Sequence, residues 1–442
     1  MSLYGAGLYG ADEYSSLAVG SLSVTVEIAF TTDPDSGTPA YQDVSAYAMG
    51  LSINRGRQYE LDTIEASTLT LRLQNDDRHF DPTYTLSPYY PNVIPMRKIR
   101  VSATWSGTTY YLFTGFVERW PIQWDAPAWG SVTLTAVDGM AALQNALIAG
   151  TFAQAFTGQR ISDILSAAAW PSSTPAVGYW TLDTSALDSA TSLSYGIPTT
   201  LLDTGTQTLQ ELTLADTDQA DALTTIQDAA NAERGTFFLD GQGRAVFQDM
   251  HHRFNETSQV TFADSAFSSS RLPYTNLVPD YDVTRIVNEV KVTRTGGATQ
   301  TATDTTSRQN FLRRSLSLTP ALTTDAAALD QATFELYLRK DAALRFDSLT
   351  VQPSANTLLW PFALGLELGK KVTVEHTTGA NSTITPETLT QGCFIEAVSH
   401  TVGADLADWQ TTFQLSPSSH YDVFFLLDTA QLDSTANAVL AA

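Results

Sequence analysis

Thr68-Leu-Thr-Leu-Arg-Leu73 puts Leu69, Leu71 and Leu73 on one face of an extended chain, with Thr68, Thr70 and Arg72 on the other. A period of two marks a strand with one buried face, and no helix can bury such a pattern. Residues 24–30, 99–105 and 131–137 alternate in the same way. Turn residues separate these runs, and helical periodicity is scarce before Gly139. This part of the chain is therefore expected to form a barrel or a sandwich.

At 442 residues the chain has length for about three domains. Hydrophobic residues make up 43%, which excludes a disordered chain. Charged residues are scarce at 16%, against roughly 25% in an average domain, and Gly, Ser and Thr take their place. That balance fits an assembly-forming β protein better than a helical enzyme. The net charge is −23, from 47 acidic and 24 basic residues. Lysines are limited to Lys98, Lys291, Lys340, Lys370 and Lys371, and no basic cluster exists. A direct grip on duplex DNA needs such a cluster, so it is excluded. Cys393 stands alone, which excludes an intrachain disulfide, an iron–sulfur cluster and a cysteine zinc site. Met1-Ser-Leu-Tyr-Gly5 lacks the features of a leader peptide, and no run of about 18 apolar residues exists. The product is expected to accumulate in the cytoplasm where it is made.

Beyond Gly139 the period changes. Ile161, Ile164, Leu165 and Ala168 share a helical face, and Pro171 should end that helix. A second helix is expected over about 218–234, on Leu223, Ile226 and Ala230, with Gly235 in the C′ position. Residues 236–247 predict a hairpin turning at Asp240-Gly241. Strands return from Asn288, with a turn at Gly296-Gly297, and Thr324 can cap a third helix reaching about Lys340. Leu-Tyr-Gly-Ala occurs twice within residues 3–11 and reads as an extended arm that orders on a partner.

No catalytic motif appears. His251-His252 would point to opposite faces of a strand and cannot easily chelate one ion. Asp76, Asp77 and Asp81 lack the Gly and Glu spacing of a calcium loop and read as a solvated turn. Trp120, Trp124 and Trp129 read as packing residues rather than a sugar platform.

Two regions resemble one another. Arg97-Lys98, a strand, Phe113-Thr-Gly-Phe-Val117 and a strand led by Trp129 are matched by Lys370-Lys371, a strand, Phe394-Ile-Glu-Ala-Val398 and a strand led by Trp409. A duplicated unit would let three copies build a pseudo-sixfold ring.

Five blocks stand in a fixed order. They are residues 57–124 with Asn75-Asp-Asp-Arg-His-Phe-Asp-Pro82 and Ser87-Pro-Tyr-Tyr-Pro-Asn92, then 160–171, 228–249, 286–294 with Asp304 and Ser307, and His400 with Trp409-Gln-Thr-Thr-Phe413. In this order they resemble the siphophage minor tail, or tail-hub, proteins, which are similar to the baseplate hubs of contractile tails. The resemblance implies a mainly β fold with inserted α+β segments: two tube-like β-barrel domains plus smaller inserted domains. The expected divisions are an extended arm (1–20), a first barrel hub domain (21–145), inserted α+β domains (146–280), a second barrel hub domain with an inserted helix (281–420) and a docking tail (421–442). It further implies a virion protein of the tail tip, a homotrimer that closes the tail tube. The implied partners are a distal tail or tube protein, a tape measure protein and a tip fibre or receptor-binding protein. DNA would pass through without specific binding, and the chain would not insert stably in a membrane. No catalytic, cofactor-binding or metal residue is expected, so the chain is read as a non-enzyme. The alternative is a tail-tip protein that binds or cleaves host polysaccharide.

Overall fold

The computed structural model describes residues 22–170, 200–425 and 439–440, apart from 35, 37, 61, 127–128, 218, 282, 380–386, 404–407, 420 and 422–423. The expected N-terminal arm and most of the expected C-terminal tail lie outside the described residues.

Thirteen strands of one large sheet system carry the architecture. The first seven are β1 (Leu22–Ala29), β2 (Ala48–Gly56), β3 (Thr68–Gln74), β4 (Lys98–Trp105), β5 (Thr108–Arg119), β6 (Ile122–Ala126) and β7 (Trp129–Val137). The rest are β8 (Ser258–Ala263), β9 (Asn276–Asp280), β10 (Arg345–Val351), β11 (Lys371–Thr377), β12 (Thr388–Val402) and β13 (Trp409–Pro417). The first set runs β2-β3-β7-β5-β4-β1, antiparallel throughout. The second runs β9-β10-β13-β12-β11-β8, and only its last pair, β11 with β8, is parallel. The two orders are the same when each set is counted from its own first strand. β6 continues β5 beyond Pro121, whereas the second set holds one uninterrupted strand, β12, in that place.

Alternation decides what each strand buries. In β3, Leu69, Leu71 and Leu73 are fully buried. They meet Ile28, Ile53, Val101, Val117 and Leu134, so all six strands of the first set face one core. The second set does the same around Phe262, Leu349, Val374, Ile395 and Phe413. Neither set closes on itself among the described residues, since β1 does not pair with β2 nor β8 with β9. The protein is mainly β, but these are open sheets and not barrels closed by hydrogen bonds.

Helices α1 (Thr157–Ala167) and α2 (Ala222–Ala232) lie between the sets, beside a sheet in which Thr200–Leu202 and Thr236–Leu239 flank Ala245–Gln248. Ile161, Ile164 and Leu165 of α1 are fully buried, as their spacing requires. α1 stops before Pro171 because Ala169 turns left-handed (φ 50°) and the Trp170 N–H bonds the Leu165 carbonyl. α2 starts later than expected, since Asp221 caps it by accepting from the Thr224 N–H at 2.7 Å. The left-handed residue after α2 is Arg234 (φ 61°), not Gly235. Gly235 is needed for space instead: a Cβ there would lie 2.6 Å from the Phe247 ring. The 236–248 hairpin turns through a wider loop than the expected two-residue turn. Asp240 accepts from the Gln242 and Arg244 N–H groups, and Gly243 supplies the positive φ.

The first three strands after Asn288 do not join the second set. Glu289–Thr293, Thr299–Thr303 and Ser315–Leu318 form a separate small sheet. Helix α3 (Asp325–Arg339) packs on it, capped by Thr324 as expected.

Trp409 belongs to β13 yet is fully buried in the core of the first set, together with Val402 and Trp360. The two sheets therefore share packing. Trp409→Ala should cost about 3–5 kcal/mol, and urea unfolding followed by circular dichroism should remain one transition. Two separated transitions in the wild type would show that the sheets unfold independently.

Candidate assembly interface

The two sets are joined edge to edge. β12 holds β13 on one side; on the other it holds β11 with its first half and β2 with its second. Residues 397–402 run antiparallel to 51–56, with Thr401 opposite Ser52 and Val402 opposite Leu51.

A β-bulge sets the crossing point. In β12 the register against β13 slips between Ile395 and Ala397, leaving Glu396 as the extra residue. Its backbone carbonyl accepts from the Arg57 N–H at 2.9 Å. Gly56 passes so close that a Cβ would sit 2.2 Å from that carbonyl oxygen, and its φ of +100° disfavours any side chain.

The Glu396 side chain is almost fully buried. Arg57 reaches its Oε2 through Nε and Nη2 at 2.8 Å, Arg253 reaches Oε1 at 2.7 Å, and the Ser416 hydroxyl donates to Oε1 at 2.6 Å. Burial alone would raise this carboxyl; Arg253 and Arg57 overcome that and hold it at about 2. Beside it the buried Arg55 donates from Nη1 to Glu367 at 3.0 Å. His400 is buried within hydrogen-bond distance of the Thr411 hydroxyl, 3.1 Å away, and edge-on to Trp409. Burial, helped by Arg55, lowers its imidazole to about 3, so the ring is neutral. Asp138 caps the Gly139–Asn145 helix, and burial raises its carboxyl to about 6.

The first set carries the same bulge. Val117 lies opposite Ala136 and Arg119 opposite Thr135, with Glu118 as the extra residue. On the far side Lys98 faces Phe116, as Lys371 faces Phe394. Val117 exchanges backbone bonds with Met96 and Arg97, as Ile395 does with Gly369 and Lys370. The hydrogen-bond register thus repeats, with the two basic pairs equivalent as the sequence suggests, but it matches Phe116 rather than Phe113 to Phe394, and Gly130 rather than Trp129 to Trp409. Glu118 is exposed where Glu396 is buried.

Residues considered for chemistry lie elsewhere. Asp76 and Asp77 form an exposed turn, but Asp81 is buried and paired with Arg78 at 2.8 Å, so that part is not solvated. His251 and His252 sit at the start of a single helical turn rather than on a strand, and His252 faces Asp203 and Glu256. Among the described residues no group of three potential metal ligands forms. Trp120 stacks on Phe30 and Phe80, whereas Trp124 is 49% exposed. A cavity of about 500 Å³ beside α2 is lined by Arg160, Gln210, Asp228 and Gln331 among others, with neither His nor Cys in its wall. Among the described residues no helix is long and apolar enough to cross a membrane.

No protein-family model and no curated protein matches the sequence. Solved structures do. The 43 kDa tail protein of prophage MuSo2 from Shewanella oneidensis superposes at TM-score 0.51 with 13% identity, over 90% of this chain and 99% of that one. A tail protein from Neisseria meningitidis MC58 gives 0.53 with 12% identity, over 89% and 96%. This chain has the tail-protein fold. An E. coli component of the type VI secretion system, described as structurally similar to the T4 tail proteins gp27 and gp5, aligns at 0.43 with 10% identity, over 84% and 73%.

Sequence reasoning did not single out Gly56, Arg57, Arg253 and Glu396 as a unit. One signal was present: a lone carboxylate inside the apolar run Phe394-Ile-Glu-Ala-Val398 must be paired if it is buried. Its arginine partners come from distant segments, which no local pattern reveals.

Acid should loosen this seam with a defined sign. Glu396 is depressed from 4.5 to about 2, so its contribution is full above pH 4.5 and is lost as pH falls toward 2. His400 is depressed from 6.5 to about 3, so stability falls as pH drops below 6.5. Asp138 is raised from 3.8 to about 6 and opposes His400, its contribution being lost as pH rises through that window. The steepest loss of the unfolding midpoint is expected below pH 4.5, where Glu396 and His400 act together. Glu396→Gln should flatten that limb, and Glu396→Ala should cost about 3–5 kcal/mol at neutral pH by stranding two arginines. An unchanged acid limb in Glu396→Gln would refute the assignment.

Proposed function

We propose that this chain is a structural hub protein of a phage-like tail: a homotrimer whose six sheet units form a pseudo-sixfold ring at the tail tip. The observation that carries the reading is the repeated register, with one strand order and one glutamate-bearing bulge in both sets. The tail-protein fold and the order of the five sequence blocks support it. In this reading the two open sheets serve as tube-like wall units. The first occupies about residues 21–145, and the second takes in residues from Ser258, before the expected 281, because β8 pairs with β11 and β9 with β10. The segments between them are insertions, residues 1–20 are an arm for a neighbour, and residues 421–442 are a docking tail.

The ring would sit in the virion between the tail tube and the tip. Its partners would be a tube or distal tail protein, a tape measure protein and a tip fibre or receptor-binding protein. DNA would pass through its hole without specific contacts. The role is mechanical, and no hydrolysis is assigned to it.

The net charge of −23 per chain bears on that passage. Screening at about 0.15 M salt limits each charge to about 8 Å, so only residues at the hole act on a polyanion. Asp and Glu should outnumber Lys and Arg on the wall of the hole, and an imaged ring with a basic constriction would refute this. Mass photometry and negative-stain images should show three copies around a hole. A stable monomer in the mature particle, or a ring of six chains, would overturn the proposal. Zymograms with peptidoglycan or capsular polysaccharide should stay blank. Cleavage abolished by changing one carboxylate would favour a degrading tip protein instead.

A further inference from the structure

We infer that copies join by pairing β9 of one chain with the β5–β6 edge of the next, in the register that already joins β2 to β12 within each chain. The inference rests on the ring reading above and specifies its contact.

The equivalence follows from strand partners alone. Leu51, Leu71 and Leu134 stand in one row of the first sheet, and Leu277, Leu349 and Phe413 stand in the same row of the second. One row on, Ser52, Thr70, Thr135 and Arg119 correspond to Val278, Ser348, Gln414 and Ala397. Further along, Gln123 and Trp124 pair with Ser131 and Gly130, as Thr401 and Val402 pair with Gln410 and Trp409. β9 is thus the counterpart of β2, and β6 is the counterpart of the outer half of β12. Within the chain those two counterparts are hydrogen-bonded to each other. By contrast, among the described residues β9 ladders with β10 alone and β6 with β7 alone.

Exposure singles out the same two edges. Leu51 and Val402, paired in the internal seam, are 7% and 5% exposed. Trp124, the counterpart of Val402, is 49% exposed, and Val278 and Tyr281 on the other edge are 41% and 66% exposed. A flat apolar strand edge left open invites pairing with another chain. Glu118 marks the spot on this edge where Glu396 sits in the internal seam.

Each open edge also carries a proline, Pro279 in β9 and Pro121 just before β6. A proline removes a donor and so limits indiscriminate strand addition at an edge. The occupant is a second copy of this chain because each edge matches the partner strand that the chain itself supplies to the other seam. Such a contact is head to tail, and repeated head-to-tail contacts close into rings.

Transferring the internal register puts Gln123 of one copy opposite Val278 of the next and Trp124 opposite Leu277. Two single variants of the full chain, Gln123→Cys and Val278→Cys, test this when mixed and treated with a short bismaleimide. Cys393 is fully buried, which keeps it from the reagent. The mixture should give a two-chain band that neither variant gives alone, and the double variant should give a ladder ending at three chains. As a second readout, Val278→Asp should raise the concentration for half-assembly at least tenfold and leave the unfolding midpoint of the isolated chain unmoved. Three-copy rings that form without any cross-link, or Val278→Asp assembling like wild type, would overturn the pairing while leaving the ring itself standing. Absence of a three-copy species, in pure protein and in particles, would overturn both.

Discussion

A single buried carboxylate holds the two halves of this protein in register. Glu396 is the extra residue of a bulge, and the bulge is what lets β12 turn from β11 to β2 as its neighbour. The bent strand presents a backbone carbonyl to Arg57 and drives the side chain among Arg57, Arg253 and Ser416. An isolated charge would not survive there. Two guanidinium groups and a hydroxyl make it tolerable, and removing any one partner strands the others. Gly56 follows from the same constraint, since any side chain would collide with the bulge carbonyl. The aromatic cluster of Trp105, Trp360 and Trp409 then fills the space beside the seam, so shape and charge specify one register together.

The repeated strand order and register show where the two sheets match and also where they part. Both keep the hairpin, the bulge and its glutamate. The first interrupts the outer half of the long strand at Pro121, while the second keeps fifteen continuous residues. The continuous strand is the one that receives β2 inside the chain, where pairing is guaranteed by covalent connection. At the interrupted edge no described residue of the same chain ladders with β6 on its outer side. Proline at Pro121 and Pro279 weakens indiscriminate strand addition at both open edges, and this is a common way to keep such edges from aggregating.

What the sequence revealed divides along physical lines. Alternating runs such as 68–73 became strands with alternating burial because their period has one solution. Thr324 capped its helix because a side-chain oxygen at that position has a nearby donor to satisfy. The repeat was legible because a basic pair, a hairpin and a Trp-led strand survive in order. Closure was not legible: whether a six-stranded sheet shuts into a barrel depends on twist and on the two outermost strands, and neither leaves a local signature. Sheet membership was also hidden. The hairpin at 289–303 has strand propensity but joins a separate sheet under α3, a choice made by long-range packing. Gly235 was misread because a glycine after a helix signals either a left-handed turn or a close approach, and here Arg234 makes the turn while Gly235 meets Phe247.

The charge balance gains meaning from where the arginines lie. Arg55, Arg285, Arg339 and Arg345 are buried, and each is paired with a carboxylate: Glu367, Asp347, Glu335 and Asp280. Arg57 and Arg253 are spent on Glu396. Arginine suits this work because its planar fork holds a carboxylate at two points and never loses its charge. A guanidinium locked in such a pair cannot also take a phosphate. The basic residues of this chain thus act chiefly as internal struts, and a fold braced in this way presents an acidic exterior without any need for acidic residues to be selected one by one.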